Sequence, residues 1–307
     1  MSKILITGAK GLVGSAIPIS MDNVLLVPKR SDMDLMNEQD TWSYISYHKP
    51  DSVIHCAAKV GGLAGNMNHM GEFFYENMLM TTQLIELCRQ AGVKKVLSFL
   101  STCIFPDKAE YPLTEDQILL GPPHESNYGY AYAKRMTYIQ SCAYRQQYGM
   151  NCICVVPTNI YGPRDNYDLD NGHVLPSLIH KCYLAKQNKT EFVVWGSGAP
   201  LREFIFSEDI GKLVLKLLED YNEEEPIILT TGDEIPIGVV AGLVAKAMGY
   251  KGKIKFDTSK PDGQFRKPSS NAKLMALYPD FKFTPIEIGI QRAVDWFCHN
   301  YPNVRGA

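Results

Sequence analysis

Lys3-Ile4-Leu5-Ile6-Thr7-Gly8-Ala9-Lys10-Gly11-Leu12-Val13-Gly14-Ser15-Ala16-Ile17 runs from a short apolar segment through three glycines into a helix-compatible one. That order places a strand, a tight turn and a helix N-terminus in succession. Glycines in such a turn let the backbone approach a pyrophosphate, and the helix end faces its negative charge. The spacing is Gly-x-x-Gly-x-x-Gly, with Leu12 and Val13 between the last two glycines. A second apolar run, Val24 to Val27, ends in Pro28-Lys29-Arg30-Ser31. An NAD-binding sheet places an acid there for the ribose hydroxyls. Lys29 and Arg30, with Lys10 in the turn, suit a 2′-phosphate instead, so NADP(H) is the expected cofactor. Pro18 keeps the first helix short.

Outward from this unit the pattern repeats. Asp51-Ser52-Val53-Ile54-His55-Cys56-Ala57-Ala58 reads as a third buried strand, and Lys59-Val60-Gly61-Gly62 as the loop at its carboxyl end. His55 sits inside the apolar run and is expected in the core. Phe73 to Arg89 reads as a long helix stopped by Ala91-Gly92, followed by a strand from Lys95 to Leu100. A helix carrying Tyr130 and Lys134 runs to Tyr148, where Gly149 ends it, and a strand from Asn151 to Val156 follows. Strands alternating with helices make the expected fold α/β, a doubly wound parallel sheet of the Rossmann type.

Beyond Tyr161 the character changes. Val174 to Lys186 is helical in pattern, Glu191 to Trp195 is a strand ending in Gly196-Ser197-Gly198, and Phe204 to Phe206 and Ile227 to Thr230 read as returns to the main sheet. From about Ile235 two helices flank Lys253 to Phe256 and a basic loop. The expected division is a dinucleotide domain over 1–160 and 201–232, and a smaller, discontinuous α+β lobe for the substrate over 161–200 and 233–307.

Composition narrows the class. At 307 residues the chain can bury a large core, and 45% hydrophobic with 21% charged residues is a globular balance. A formal net charge of −2, without a basic run, offers no nucleic-acid surface. No apolar segment of about 20 residues appears, so no membrane partner is expected. The N-terminus enters its first strand at once and lacks a cleavage pattern, which reads as no signal peptide. Eight scattered cysteines without Cys-x-x-Cys spacing read as reduced thiols in a cytoplasmic protein. No His and Cys cluster has zinc-ligand spacing, so no metal is expected.

The chemistry lies between Ser101 and Lys134. Ser101-Thr102-Cys103-Ile104-Phe105-Pro106 follows a strand, and Tyr130-Ala131-Tyr132-Ala133-Lys134 heads a helix. Tyrosine and lysine four residues apart share one helix face, where the ammonium is expected to depress the phenol's pKa. Such a phenol exchanges a proton with a carbonyl oxygen, and Ser101 can hold the same oxygen. A scaffold that merely binds dinucleotide needs no such proton donor. Cys103 needs only a modest downward shift to exchange protons at neutral pH, and an imidazole is poised there already.

With Gly8, Gly11, Gly14, Ser101, Tyr130 and Lys134 in this order, the chain resembles the extended short-chain dehydrogenase/reductases. Ala57-Ala58-Lys59-Val60-Gly61-Gly62, Pro157-Thr158-Asn159-Ile160-Tyr161-Gly162-Pro163-Arg164-Asp165-Asn166, His173-Val174-Leu175-Pro176, Val194-Trp195-Gly196-Ser197-Gly198, Arg202-Glu203-Phe204 and Lys260-Pro261-Asp262-Gly263 make it similar to the GDP-L-fucose synthase family nearly end to end. The resemblance implies epimerisation of GDP-4-keto-6-deoxy-D-mannose at C3 and C5, then NADPH-dependent reduction at C4. It implies Cys103 as base, His173 as acid, Ser101 and Tyr130 on the C4 oxygen, and Lys134 on the nicotinamide ribose. The cofactor set it implies adds Ala57, Ala58, Leu100, Pro157, Asn159, Ile160 and His173 to the first turn. Lys181, Trp195, Arg202, Asp262 and Lys267 are implied for the nucleotide sugar, with Arg202 and Lys267 facing phosphate. Lys10 and Lys181 replace arginines of bacterial members, and the segment from Ile17 to Asn23 is shortened. The family also implies a homodimer through helices 73–89 and 133–148. A 4-epimerase or 4,6-dehydratase would keep its cofactor unoxidised, and a sensor would show no turnover.

Overall fold

The computed structural model describes residues 1–19 and 23–307. In chain order the elements are β1 (Ser2–Thr7), β2 (Asn23–Leu26), α1 (Glu38–His48), β3 (Ser52–His55), α2 (Leu63–Asn68), α3 (Met70–Gln90), β4 (Lys95–Phe99), α4 (Tyr128–Tyr148), β5 (Asn151–Pro157) and β6 (Asn159–Tyr161). They continue with α5 (Val174–Asn188), β7 (Phe192–Trp195), β8 (Leu201–Phe206), α6 (Ser207–Asp220), β9 (Ile227–Leu229), β10 (Glu234–Pro236), α7 (Ile237–Met248), β11 (Ile254–Asp257), α8 (Ala272–Leu277) and α9 (Ile286–Asn300).

Six strands form a parallel sheet in the order β2-β1-β3-β4-β5-β9. Alternation along the strands sorts side chains between two faces. Leu5, Val53 and Val96 pack with Ile45, Leu84, Ile85 and Cys88 of α1 and α3. Ile4, Ile6, Ile54, Leu97 and Ile153 pack with Ile210, Leu213, Val214 and Leu217 of α6. Strands buried on both faces are expected to be mostly apolar, and the polar exceptions, Thr7, His55, Lys95 and Ser98, are buried near the strand ends. The strand order reverses between β1 and β3, which opens a crevice at their carboxyl ends.

The doubly wound parallel sheet is as expected, with two differences. Phe204 to Phe206 do not return to the main sheet. They lie in β8, which pairs with β6 in parallel and β10 antiparallel in a separate three-stranded sheet. The chain leaves the main sheet after Pro157, and β9 takes the place beside β5. An apolar run carries no label for its partner, so the local pattern fits either sheet. Helices α1 and α6 also go beyond the sequence reading. Asn37 caps α1 by accepting from the Asp40 N–H at 3.1 Å.

After Gly14 the first helix is only a 3₁₀ turn over Gly14–Ala16. The shortened segment from Ile17 to Asn23 lies partly outside the described residues. A second core gathers α5, α7 and α9 against β7, with Phe192, Val194, Val240, Val244 and Phe297 buried together. The two-stranded pair of β7 and β11 borders it. Among the described residues no helix is long and apolar enough to cross a membrane.

Candidate active site

The crevice begins where β1 and β3 end side by side. Gly8 turns with φ +67, and a Cβ there would lie 2.8 Å from the Ala57 nitrogen. At Gly14 a Cβ would come within 2.5 Å of the Gly8 carbonyl oxygen. Both positions therefore require glycine, one for backbone sign and contact, the other for contact alone. The turn closes through the Gly11 N–H, which donates to the Gly8 carbonyl at 2.9 Å.

Behind it, Thr7 Oγ1 accepts from the Ala57 N–H at 3.2 Å and meets His55 Nδ1 at 2.8 Å, while His55 Nε2 meets Thr81 Oγ1 at 3.1 Å. Burial, aided by the Lys134 charge, pulls the His55 pKa to about 3, so the ring is a neutral structural bridge. Asn77, which sequence reasoning missed, holds the loop after β3 at both its N–H and C=O through Lys59, each at 3.0 Å.

The basic end has acidic neighbours that the sequence reading left out. Arg30 Nε lies 3.2 Å from Asp34, and the Lys29 N–H donates to Asp32 at 2.9 Å. That hydrogen bond first, and then the Lys29 and Lys10 charges, hold the Asp32 carboxyl below its ordinary range. Lys10, Lys29 and Arg30 are exposed, and a guanidinium whose carboxylate partner lies at the surface can exchange it for a phosphate, which fits a 2′-phosphate here.

At the end of β4, Ser101 starts a 3₁₀ turn over Thr102–Ile104, and its Oγ accepts from the Cys103 N–H at 3.4 Å. Across the turn stands α4. Lys134, 2% exposed, donates from Nζ to the Phe99 carbonyl at 2.8 Å and lies 5.8 Å from the Tyr130 ring centroid. The expected depression of the Tyr130 phenol by Lys134 does not occur. Burial raises the phenol, and the nearby Cys103 raises it further. Desolvation falls on the ammonium too, whose pKa drops to about 8.

The Cys103 thiol is likewise raised, against the downward shift expected. Burial outweighs Ser101's hydrogen bond and the charges of Lys267 and Lys134. His173 precedes α5 and is exposed, yet enough protein surrounds it that burial, then Arg305, hold its pKa below the ordinary imidazole value. At rest Cys103 is thus a thiol and His173 a neutral imidazole.

Ser101, Cys103, Tyr130, Lys134 and Lys267 gather around one turn. Leu100 is tied into the sheet through Val155, and Asn159 donates to the Glu203 carbonyl at 2.7 Å. Farther out, a cavity of about 210 Å³ is lined by Trp195, Arg202 and Asp262 among others, bringing three of the five substrate candidates together. Lys181 caps Trp195 with its Nζ 3.7 Å from the ring centroid. Asp262 accepts from the Ser197 N–H at 2.6 Å and from Ser197 Oγ at 2.8 Å, fixing the glycine loop after β7. A larger open depression of about 490 Å³ between α1 and α3 contains none of these groups.

A dinucleotide crevice, a hydroxyl-thiol-phenol-ammonium cluster and an outer cavity lined by Trp195, Arg202 and Asp262 suit an enzyme that works on nucleotide sugars, and the chain belongs to the NAD dependent epimerase/dehydratase family, whose model matches residues 4–232. Among the proteins it is similar to are GDP-L-fucose synthases. The one from Dictyostelium discoideum is 48% identical, over 98% of this chain and 97% of its own. A probable GDP-L-fucose synthase from Drosophila melanogaster is 42% identical over 99% of this chain and 100% of its own. The crystal structure of a GDP-L-fucose synthetase from Naegleria fowleri bound to NADP superposes with a TM-score of 0.94 at 43% identity, covering 99% of this chain and 95% of that one.

Proposed function

We infer that the chain is a GDP-L-fucose synthase: an NADPH-dependent epimerase/reductase that inverts C3 and C5 of GDP-4-keto-6-deoxy-D-mannose and reduces C4. The observation that carries this reading is the placement of Cys103 on the same short turn as Ser101, directly after the strand whose Phe99 carbonyl Lys134 holds, and near enough to Tyr130, Lys134 and Lys267 for their charges to act on one another. A thiol there adds a proton-transfer group to a ketoreductase set.

The C4 ketone acidifies the hydrogens on C3 and C5. Cys103, as thiolate, takes the proton, and the C–H electron pair moves into an enolate whose oxygen is held by Ser101 Oγ and the Tyr130 hydroxyl. His173, as imidazolium, returns a proton to the opposite face. Each inversion leaves a thiol and a neutral imidazole, the protonation state of the resting site, and exchange with solvent resets the pair. Lys134 and Lys267 offset the negative charge that appears on sulfur and then on oxygen.

The Gly8–Gly14 turn would hold NADPH, with Lys10, Lys29 and Arg30 toward its 2′-phosphate, and the bound cofactor would supply the hydride for C4. Tyr130 gives its proton to the C4 oxygen. A phenol raised by burial stays protonated at neutral pH, which suits a donor. For the nucleotide, Trp195 and Asp262 face the base and ribose, and Arg202, Lys181 and Lys267 the diphosphate. We place the cofactor in 1–160 and 201–232, and the sugar nucleotide against 161–200 and 233–307. A cytoplasmic homodimer through α3 and α4 completes the reading.

The test is incubation with GDP-4-keto-6-deoxy-D-mannose and NADPH in D2O. NADPH oxidation with deuterium at both C3 and C5 is the expected result, and Cys103→Ser should abolish the deuteration. Oxidation without deuterium at either carbon would reduce the activity to a plain ketoreductase.

A further inference from the structure

We propose that Arg135 is a positioning residue for the epimerisation steps: reaching from α4, it holds the far end of the Ser101–Phe105 turn and so aims the Cys103 thiol. The inference rests on the reading of Cys103 as a proton-transfer group.

The turn is a single 3₁₀ unit over Thr102–Ile104. Its first end is tied by Ser101 Oγ. Its last carbonyl, that of Ile104, is not met by a continuing helix, because the backbone turns extended at Phe105 ahead of Pro106 and the Asp107 N–H donates to the Pro122 carbonyl at 2.9 Å instead. Arg135 Nε donates to that carbonyl at 2.6 Å. The preceding residue, Lys134, donates to the Phe99 carbonyl at 2.8 Å. Two successive side chains of one helix thus hold backbone carbonyls on either side of Ser101 and Cys103. A turn pinned only at the Phe99 side could pivot, moving the thiol relative to the substrate carbons while leaving Tyr130 in place on its own helix.

Arg135 is an expensive choice for this bond. It is 5% exposed, its Nη2 has no hydrogen-bond partner, and its guanidinium lies 5.5 Å from the Tyr132 ring centroid. A buried guanidinium with donors unfilled destabilises a fold relative to an apolar side chain of similar length. The position thus trades stability for a fixed turn.

Arg135→Met separates aiming from chemistry. Deuterium entry at C3 and C5 of the keto sugar in D2O should fall on the order of 100-fold, the scale of a misplaced reacting group. The reverse hydride step, oxidation of GDP-L-fucose by NADP+, needs no epimerisation and should stay within about 3-fold, as should NADPH affinity by fluorescence. Arg135→Lys keeps one donor and should recover most of the exchange, and it serves alone if the methionine variant does not fold. Equal loss of exchange and hydride transfer in the folded variant, or no loss of exchange, overturns the proposal. Cys103→Ser run alongside keeps the two readings apart. Exchange surviving in Cys103→Ser overturns the thiol's assignment. Exchange lost there but intact in Arg135→Met overturns the Arg135 assignment alone.

Discussion

Replacing Lys134 by methionine should abolish activity while leaving the fold as stable as before or more so. A lysine whose pKa falls from 10.5 to about 8 on folding carries roughly 3 kcal/mol against its buried charged form at neutral pH. Its hydrogen bond to the Phe99 carbonyl returns about 1.5–3 kcal/mol, as bonds to charged groups do. The methionine variant therefore lies between neutral and about 2 kcal/mol more stable at pH 7.

The sign with pH follows from proton binding. Between pH 8 and 10.5 the unfolded chain holds the Lys134 proton and the native state has released it. Native stability thus rises through that window in the wild type, and the gap to the variant closes. Urea unfolding at pH 7 and pH 10 measures both quantities, and NADPH oxidation should drop by about 100-fold or more.

Lys95 is the internal control. It is 6% exposed, its pKa also falls to about 8, and its Nζ bonds to the Leu217 carbonyl at 3.1 Å and Asn222 Oδ1 at 3.2 Å, away from the crevice. Lys95→Met should leave turnover unchanged. If Lys134→Met lost about 1 kcal/mol or more at pH 7, the desolvation argument would be wrong, because the hydrogen bond would outweigh the buried charge.

Tyr130→Phe should cut C4 reduction by about 100-fold or more and C3 and C5 exchange by less, since only reduction consumes the phenol's proton; equal losses by NMR and absorbance would remove that role. Iodoacetamide should alkylate Cys103 slowly at pH 7 and accelerate only above the ordinary thiol range, because burial raises the thiol; peptide mapping that finds rapid labelling at pH 7 would contradict this. Asn77→Ala, which strands the Lys59 N–H and C=O, should cost about 2–4 kcal/mol in urea unfolding and weaken NADPH binding. Unchanged values of both would show the Lys59 loop to be held elsewhere.

Much of the molecule was legible along the chain. The glycine turn, the parallel sheet and the Tyr130–Lys134 pair depend on relations within a few residues, where covalent spacing and periodicity decide which groups share a face. Even His55 could be assigned to the core, because an apolar strand surrounds it. Tertiary structure alone decided that β8 pairs with β6 and β10, since hydrogen-bond partners are chosen across the chain. It also decided the charge states of the candidate site. Helix spacing suggests that Lys134 lowers the Tyr130 phenol, but the enclosing protein removes water from Tyr130, Cys103 and Lys134 together. Desolvation opposes every charged form, and its size is set by the surrounding fold rather than by residue order.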